Sequence, residues 1–133
     1  MICEPAVVAA VVAHACEAAP AECCGILLGS EPRIVESVRA RNLSDAVNRF
    51  LIDPRDHIAA RREARTRNLQ VVGFYHSHPH SGPTPSVTDI AEVTYDGCLY
   101  LIVSLVSEPA VRLFRMNREG PGELPLTVGS LLG

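Results

Sequence analysis

The sequence lacks any excess of positive charge: fifteen acidic residues outnumber twelve basic ones, for a net charge of -3. It offers no electrostatic reason to expect a nucleic acid or a membrane surface as partner. Lysine is absent, every basic residue being arginine; that absence carries no functional reading. The five cysteines (Cys3, Cys16, Cys23, Cys24, Cys98) include no C-x-x-C, are odd in number and share no repeated spacing. They indicate neither a disulfide framework nor a zinc ribbon, and suit small, partly buried thiols in a reducing cytoplasm. The stretch AVVAAVVAHACEAA near the start has no positively charged segment before it, is too short to span a bilayer, and contains His14 and Glu17. It is expected to be a core helix and not an export signal or anchor. Repeats, linkers and low-complexity blocks are missing too.

What remains is an ordinary globular composition, 47% hydrophobic and 20% charged. A chain of 133 residues can bury one core without staples. One domain over residues 1–133 is expected, with its core at about 6–116 and a Gly/Pro-rich tail from 117 to 133. Pro5 suits a first helical turn, Val7, Val8, Val11, Val12 and Ala15 share a face, and Pro20 stops the helix. CCGILLG (Cys23–Gly29) reads as a buried strand, and RIVESVRA as its partner across a tight turn. Arg49-Phe50-Leu51-Ile52 reads as another strand. Asp53-Pro54 then caps and opens the helix RDHIAARREART, whose arginines fit a solvated face better than a docking site for an acidic partner. LQVVGFY (Leu69–Tyr75), LYLIVSLV (Leu99–Val106) and AVRLFRM (Ala110–Met116) complete the strands. Strands with a long helix on each side predict an α/β (α+β) sandwich.

Residues 73–89 read GFYHSHPHSGPTPSVTD. His76 and His78 stand two apart at the end of a strand, so both imidazoles project from one side and can reach one metal ion. A pair of surface histidines in a loop is the plainer alternative. Ser86 and Asp89 fit a helix N-terminus as cap and first-turn acid; at i and i+3 they can also aim at one point. Glu22, just before CCGILLG, is either a water-facing carboxylate or a rigidly held proton shuttle. Ser77 should point away from a metal, and His80 is expected to be a surface histidine. His14 and His57 lie on helices and fit no ligand spacing.

Glu22, then His76-Ser77-His78-Pro79, then six residues, then Ser86 and Asp89, resemble the JAMM (MPN+) metalloprotease signature in order and spacing, with no departure from it. ECCGILLG and GFYHSHP look like the small stand-alone prokaryotic members, and the resemblance runs from about Ala6 to Met116. It implies the MPN fold, a mixed sheet sandwiched by helices and similar to the cytidine-deaminase-like architecture. It implies one zinc ion per chain on His76, His78 and Asp89, with a fourth position open to water whose pKa falls towards about 7. Glu22 would act as general base and then acid, and Ser86 would donate to the oxyanion. The implied enzyme is a zinc isopeptidase or peptidase acting at the C-terminal tail of a ubiquitin-like, sulfur-carrier protein. With only six residues between HSHP and Ser86, a small carrier suits it better than polyubiquitin. A non-catalytic MPN scaffold mediating protein association is the alternative. A cysteine hydrolase using Cys23 or Cys24 is disfavoured by their apolar strand, and a zinc deaminase by the missing H-x-E…P-C-x-x-C pattern.

Overall fold

The computed structural model describes residues 1–46, 48–92 and 96–129. Its elements follow in the order β1 (Ile2–Cys3), α1 (Pro5–Ala18), β2 (Cys24–Ser30), β3 (Arg33–Ala40), α2 (Pro54–Thr66) and β4 (Gln70–His78). Then come α3 (Val87–Ala91), β5 (Cys98–Ser104), β6 (Ala110–Asn117), β7 (Gly120–Leu124) and β8 (Thr127–Val128). The eight strands form one mixed sheet in the order β7-β6-β5-β4-β2-β3-β1-β8. β4 lies centrally, antiparallel to β2 and parallel to β5.

Each face of the sheet carries its own core. On one side α1 buries Val7, Val11 and Ala15 against Leu27, Tyr75, Leu99, Leu101 and Leu113, with Val8 and Val12 packed alongside. This helix has no side-chain cap, only Pro5 in its first turn. Valine is a modest helix former, so the buried stripe supplies the stability that propensity does not. On the other side α2 sets Ala60 and Ala64 against Ile26, Leu28, Phe74, Tyr100 and Ile102. Small residues there let the helix approach the sheet closely. Asp53 starts α2 by accepting from the Arg55 N–H at 2.9 Å, and Pro54 follows at the first position. The expected sandwich, with a helix on each side, is what the chain forms.

One expectation needs correction. Arg49–Ile52 is not a strand: among the described residues Ile52 makes only an isolated bridge, with Asn42. The Asn42 side chain takes the Arg49 carbonyl and the Leu51 N–H, the Leu51 carbonyl accepts from the Leu43 N–H at 2.8 Å, and Asp53-Pro54 turns the chain into α2 directly after. The tail, to which no element was assigned, contributes β7 and β8. These two strands lie at opposite ends of the sheet order, yet only Pro125 and Leu126 separate them. Three Cα steps reach at most about 11 Å, so the sheet must curl until its two edges nearly meet. Leu124 and Leu126 both pack into the core on the α1 side, so the curl wraps that helix. Among the described residues no helix is long and apolar enough to cross a membrane.

Candidate metal centre

β4 places the centre. Phe74, His76 and His78 face the α2 side, while Tyr75 and Ser77 face the α1 side. Gly25 on β2 makes room for this register: a Cβ there would lie 2.1 Å from the Tyr75 ring. Beyond β4 the chain turns back. The Ser104 hydroxyl donates to the Ser81 carbonyl, and the Leu105 N–H donates to the His78 carbonyl at 3.1 Å. The return brings in α3, whose N-terminus is a complete capping box. The Asp89 N–H donates to Ser86 Oγ, and the Ser86 N–H donates to Asp89 Oδ2, both at 2.9 Å. The capping reading and the converging reading of this pair therefore hold together, because the cap is what aims Asp89.

The result is a triangle of donor atoms. His76 Nε2 and His78 Nε2 are 3.2 Å apart, and they lie 3.1 and 2.9 Å from Asp89 Oδ2. All three residues are buried. Tetrahedral zinc with bonds of about 2.0–2.1 Å requires ligand edges of roughly 3.3–3.4 Å, so the donor set fits one zinc ion with little movement. The second nitrogen of His78 sets its tautomer. Nδ1 stands 2.8 Å from the Gly82 carbonyl, which can only accept, so Nδ1 carries the proton and Nε2 is left for a metal. His76 is held by packing: Phe50 stacks on its ring at 4.3 Å, and its Nδ1 is buried without a hydrogen-bond partner.

Burial and charge set the protonation states. Burial lowers the pKa of His76 despite Asp89 beside it. Burial also works against charged His78, but hydrogen bonds to Asp89 and the Gly82 carbonyl, with the charges of Asp89 and Glu22, raise its pKa. Asp89 is buried too, yet hydrogen bonds from His76 and His78 hold it well below the usual carboxylate range. Glu22 lies outside the donor triangle. Burial pushes its carboxyl up to about 7; His78 opposes that rise and Asp89 adds to it. A carboxyl titrating near neutrality beside a cation site can exchange a proton with a reacting water.

A groove of about 410 Å³ opens beside the triangle, lined by Phe50, Leu51, Ile52, Phe74, Asp89 and Tyr100 among others. The structure thus brings His76, His78, Asp89, Ser86 and Glu22 to one end of the sheet, with His57 on the wall of the adjoining groove. His80 is exposed, His14 bonds the Tyr75 hydroxyl at 2.7 Å, and His57 contacts Arg61 and Phe74. Cys23 and Cys24 are buried, and burial raises both thiols, Cys24 to about 12. That is the opposite of an activated nucleophile. Phe50, the Gly82 carbonyl and Asn42 had not been singled out. Only Asn42 had a readable signal, an Asx turn in which its side chain accepts from the Ser44 N–H.

Comparison with known proteins agrees with this geometry. The model of the prokaryotic homologs of the JAB domain matches residues 4–117. A desampylase of Haloferax volcanii is 37% identical over 101 residues, 71% of this chain and 73% of that protein. A desampylase of Pyrococcus furiosus is 36% identical over 83 residues, 62% of this chain and 59% of that protein. A solution structure from Desulfitobacterium hafniense is similar at a TM-score of 0.89 with 27% identity, covering 98% of this chain and 94% of the other. At 24% identity, a structure described as "JAMM: a metalloprotease-like zinc site in the proteasome and signalosome" shares the fold, with a TM-score of 0.63 over 98% of both chains. The class these define is that of JAMM-type hydrolases with the JAB1/MPN fold. The chain belongs to the family of prokaryotic homologs of the JAB domain.

Proposed function

We propose that this chain is a zinc-dependent isopeptidase or peptidase. Its substrate is an amide bond at the C-terminal tail of a small ubiquitin-like protein of the sulfur-carrier kind, and its setting the cytoplasm. The observation that carries the chemistry is the triangle of His76, His78 and Asp89 beside a buried carboxyl at an open groove. Two relatives named desampylases support the substrate class. His76, His78 and Asp89 hold the ion; when bound, zinc acidifies a water and polarises the scissile carbonyl. Glu22 accepts the water's proton and returns it to the leaving amine. Ser86 Oγ already accepts from the Asp89 N–H, so its own proton is free to donate to the developing oxyanion. The complete donor set weighs against the scaffold reading.

Metal analysis with turnover on a carrier-linked substrate tests this. His76→Ala and Asp89→Ala should lose the single zinc. Glu22→Gln should keep zinc and fold yet lose on the order of 10²–10⁴-fold in kcat. Normal turnover in Glu22→Gln would remove Glu22 from the mechanism, and a wild-type chain that takes up no zinc would remove the reaction.

A further inference from the structure

The carboxyl assigned as general base has no hydrogen bond at Oε1, although that atom is buried. Its position therefore depends on its backbone. Glu22 precedes the sheet: the ladder begins at Cys24, opposite His76 on β4 and Ala40 on β3. The end of a strand frays when its polar groups have no partner. Here they have partners of an unusual kind. The Glu22 carbonyl accepts from the Asn42 side-chain amide at 3.0 Å. The other end of the same peptide group, the Cys23 N–H, donates to Ser77 Oγ at 2.8 Å. One peptide is thus held at both polar ends by two side chains. Ser77 also donates its own N–H to the Cys23 carbonyl at 3.1 Å, bracketing that residue.

We infer that Asn42 and Ser77 are the positioning residues of the base: together they fix the Glu22–Cys23 peptide, and through it the Glu22 carboxyl, against the metal donors. This rests on the proposed hydrolytic role of Glu22. Ser77 lies between His76 and His78, and strand alternation turns it to the opposite face. A three-residue run therefore sets the donors on one side and the base's backbone on the other. Asn42 has no capacity left for substrate. Its amide nitrogen donates to the Glu22 and Arg49 carbonyls at 3.0 and 3.2 Å. Its oxygen accepts from the Ser44 and Leu51 N–H groups, both at 2.9 Å. All four hydrogen-bonding directions of the amide are used. The same side chain so ties the base to the segment bearing Phe50, which stacks on His76.

Ser77→Ala removes the acceptor without touching donors, base or groove, and Asn42→Asp turns a donor into an acceptor facing two carbonyls. The readouts are Cys23 amide hydrogen exchange, zinc content, and kcat and KM separately. For Ser77→Ala the expected result is a faster-exchanging Cys23 amide, full zinc content, kcat lower by roughly 10²-fold and KM unchanged. Ser77→Thr, which keeps the hydroxyl, should restore both exchange protection and kcat. Asn42→Asp should lower kcat from the other end of the peptide, and it reads the clamp independently if Ser77→Ala fails to fold. Unaltered Cys23 protection in Ser77→Ala overturns the clamp. Lost protection with normal kcat overturns the positioning role, and lost zinc assigns Ser77 to the metal donors instead. A wild-type chain that takes up zinc and cleaves nothing overturns the reaction, with any positioning for it.

Discussion

Glu22 sits where a carboxylate is least comfortable, buried and close enough to Asp89 to feel its charge, which is why its carboxyl is pushed up to about 7. Its neighbours are arranged the other way. Asp89 is kept ionised by two imidazoles and the Ser86 N–H, and His78 is favoured as a cation by Asp89 and the Gly82 carbonyl. His76, burial-depressed, is already neutral near its ordinary value of about 6.5. These directions fix the pH dependence of metal uptake. Zinc must displace the proton of His78, whose pKa in the folded chain is raised. Affinity should therefore climb by about tenfold per pH unit up to that raised value and flatten above it, as His78 gives up its proton before binding. Chelator competition across neutral pH measures this, and a slope of two protons would mean that His76 is charged as well. Ser86→Ala leaves the Ser86 N–H on Asp89 Oδ2, so it should keep the metal and lower kcat by about 10²–10³-fold, as loss of an oxyanion donor does. Single-turnover kinetics would read it, and an unchanged rate would leave Ser86 as a cap alone.

At the scale of elements, what could be read from the sequence were the parts whose pattern is local. The apolar faces of α1, β2 and β5, the Asp53-Pro54 start of α2 and the Ser86 cap of α3 are written in neighbouring residues and formed where they were expected. Arg49–Ile52 looked like a strand because it holds a short apolar run with Phe50 and Ile52, both β-formers, at alternate positions. Among the described residues it makes a single isolated bridge, Ile52 with Asn42, and the Asn42 side chain takes the Arg49 carbonyl and the Leu51 N–H. β7 was unreadable for the opposite reason. GPGEL has loop composition and is ordered by the free edge of β6, with Arg112 and Glu123 paired across it. Deleting the chain beyond Arg118 should expose that edge and uncover the contacts of Leu124 and Leu126. A loss of about 2–3 kcal/mol in denaturant unfolding is expected; unchanged stability would mean the curl of the sheet does not depend on β7 and β8. In the core, Leu101→Ala should cost about 2–5 kcal/mol, since Leu101 is fully buried between the strands and α1.

For the molecule as a whole, the pairing of β2 with β4 and the return of the chain into α3 bring distant segments together at one end of β4. His76 and His78 stood out by their spacing and Ser86 with Asp89 as a helix cap, but their assignment as zinc donors came from the family signature. Glu22 is more than fifty residues upstream and was placed by the order of a family signature, since nothing local marks it out from any other strand-edge carboxylate. Phe50 on His76 and the Asn42 and Ser77 bonds to the Glu22–Cys23 peptide are products of the tertiary fold, with no periodicity to announce them. The groove beside the donors is lined by Phe50, Leu51, Phe74 and Tyr100 together with Arg49, His57 and Glu92. The central claim is that this end of the sheet performs zinc-dependent cleavage of an amide bond at the C-terminal tail of a ubiquitin-like protein. Its most direct test is the intact mass of a small ubiquitin-like carrier bearing a C-terminal extension, after incubation with the chain, with the chain stripped by chelator, and with zinc restored. The account predicts a mass loss equal to the extension, abolished by the chelator and recovered with zinc. Cleavage that persists without metal, or an intact carrier in the presence of the zinc-loaded chain, would contradict it.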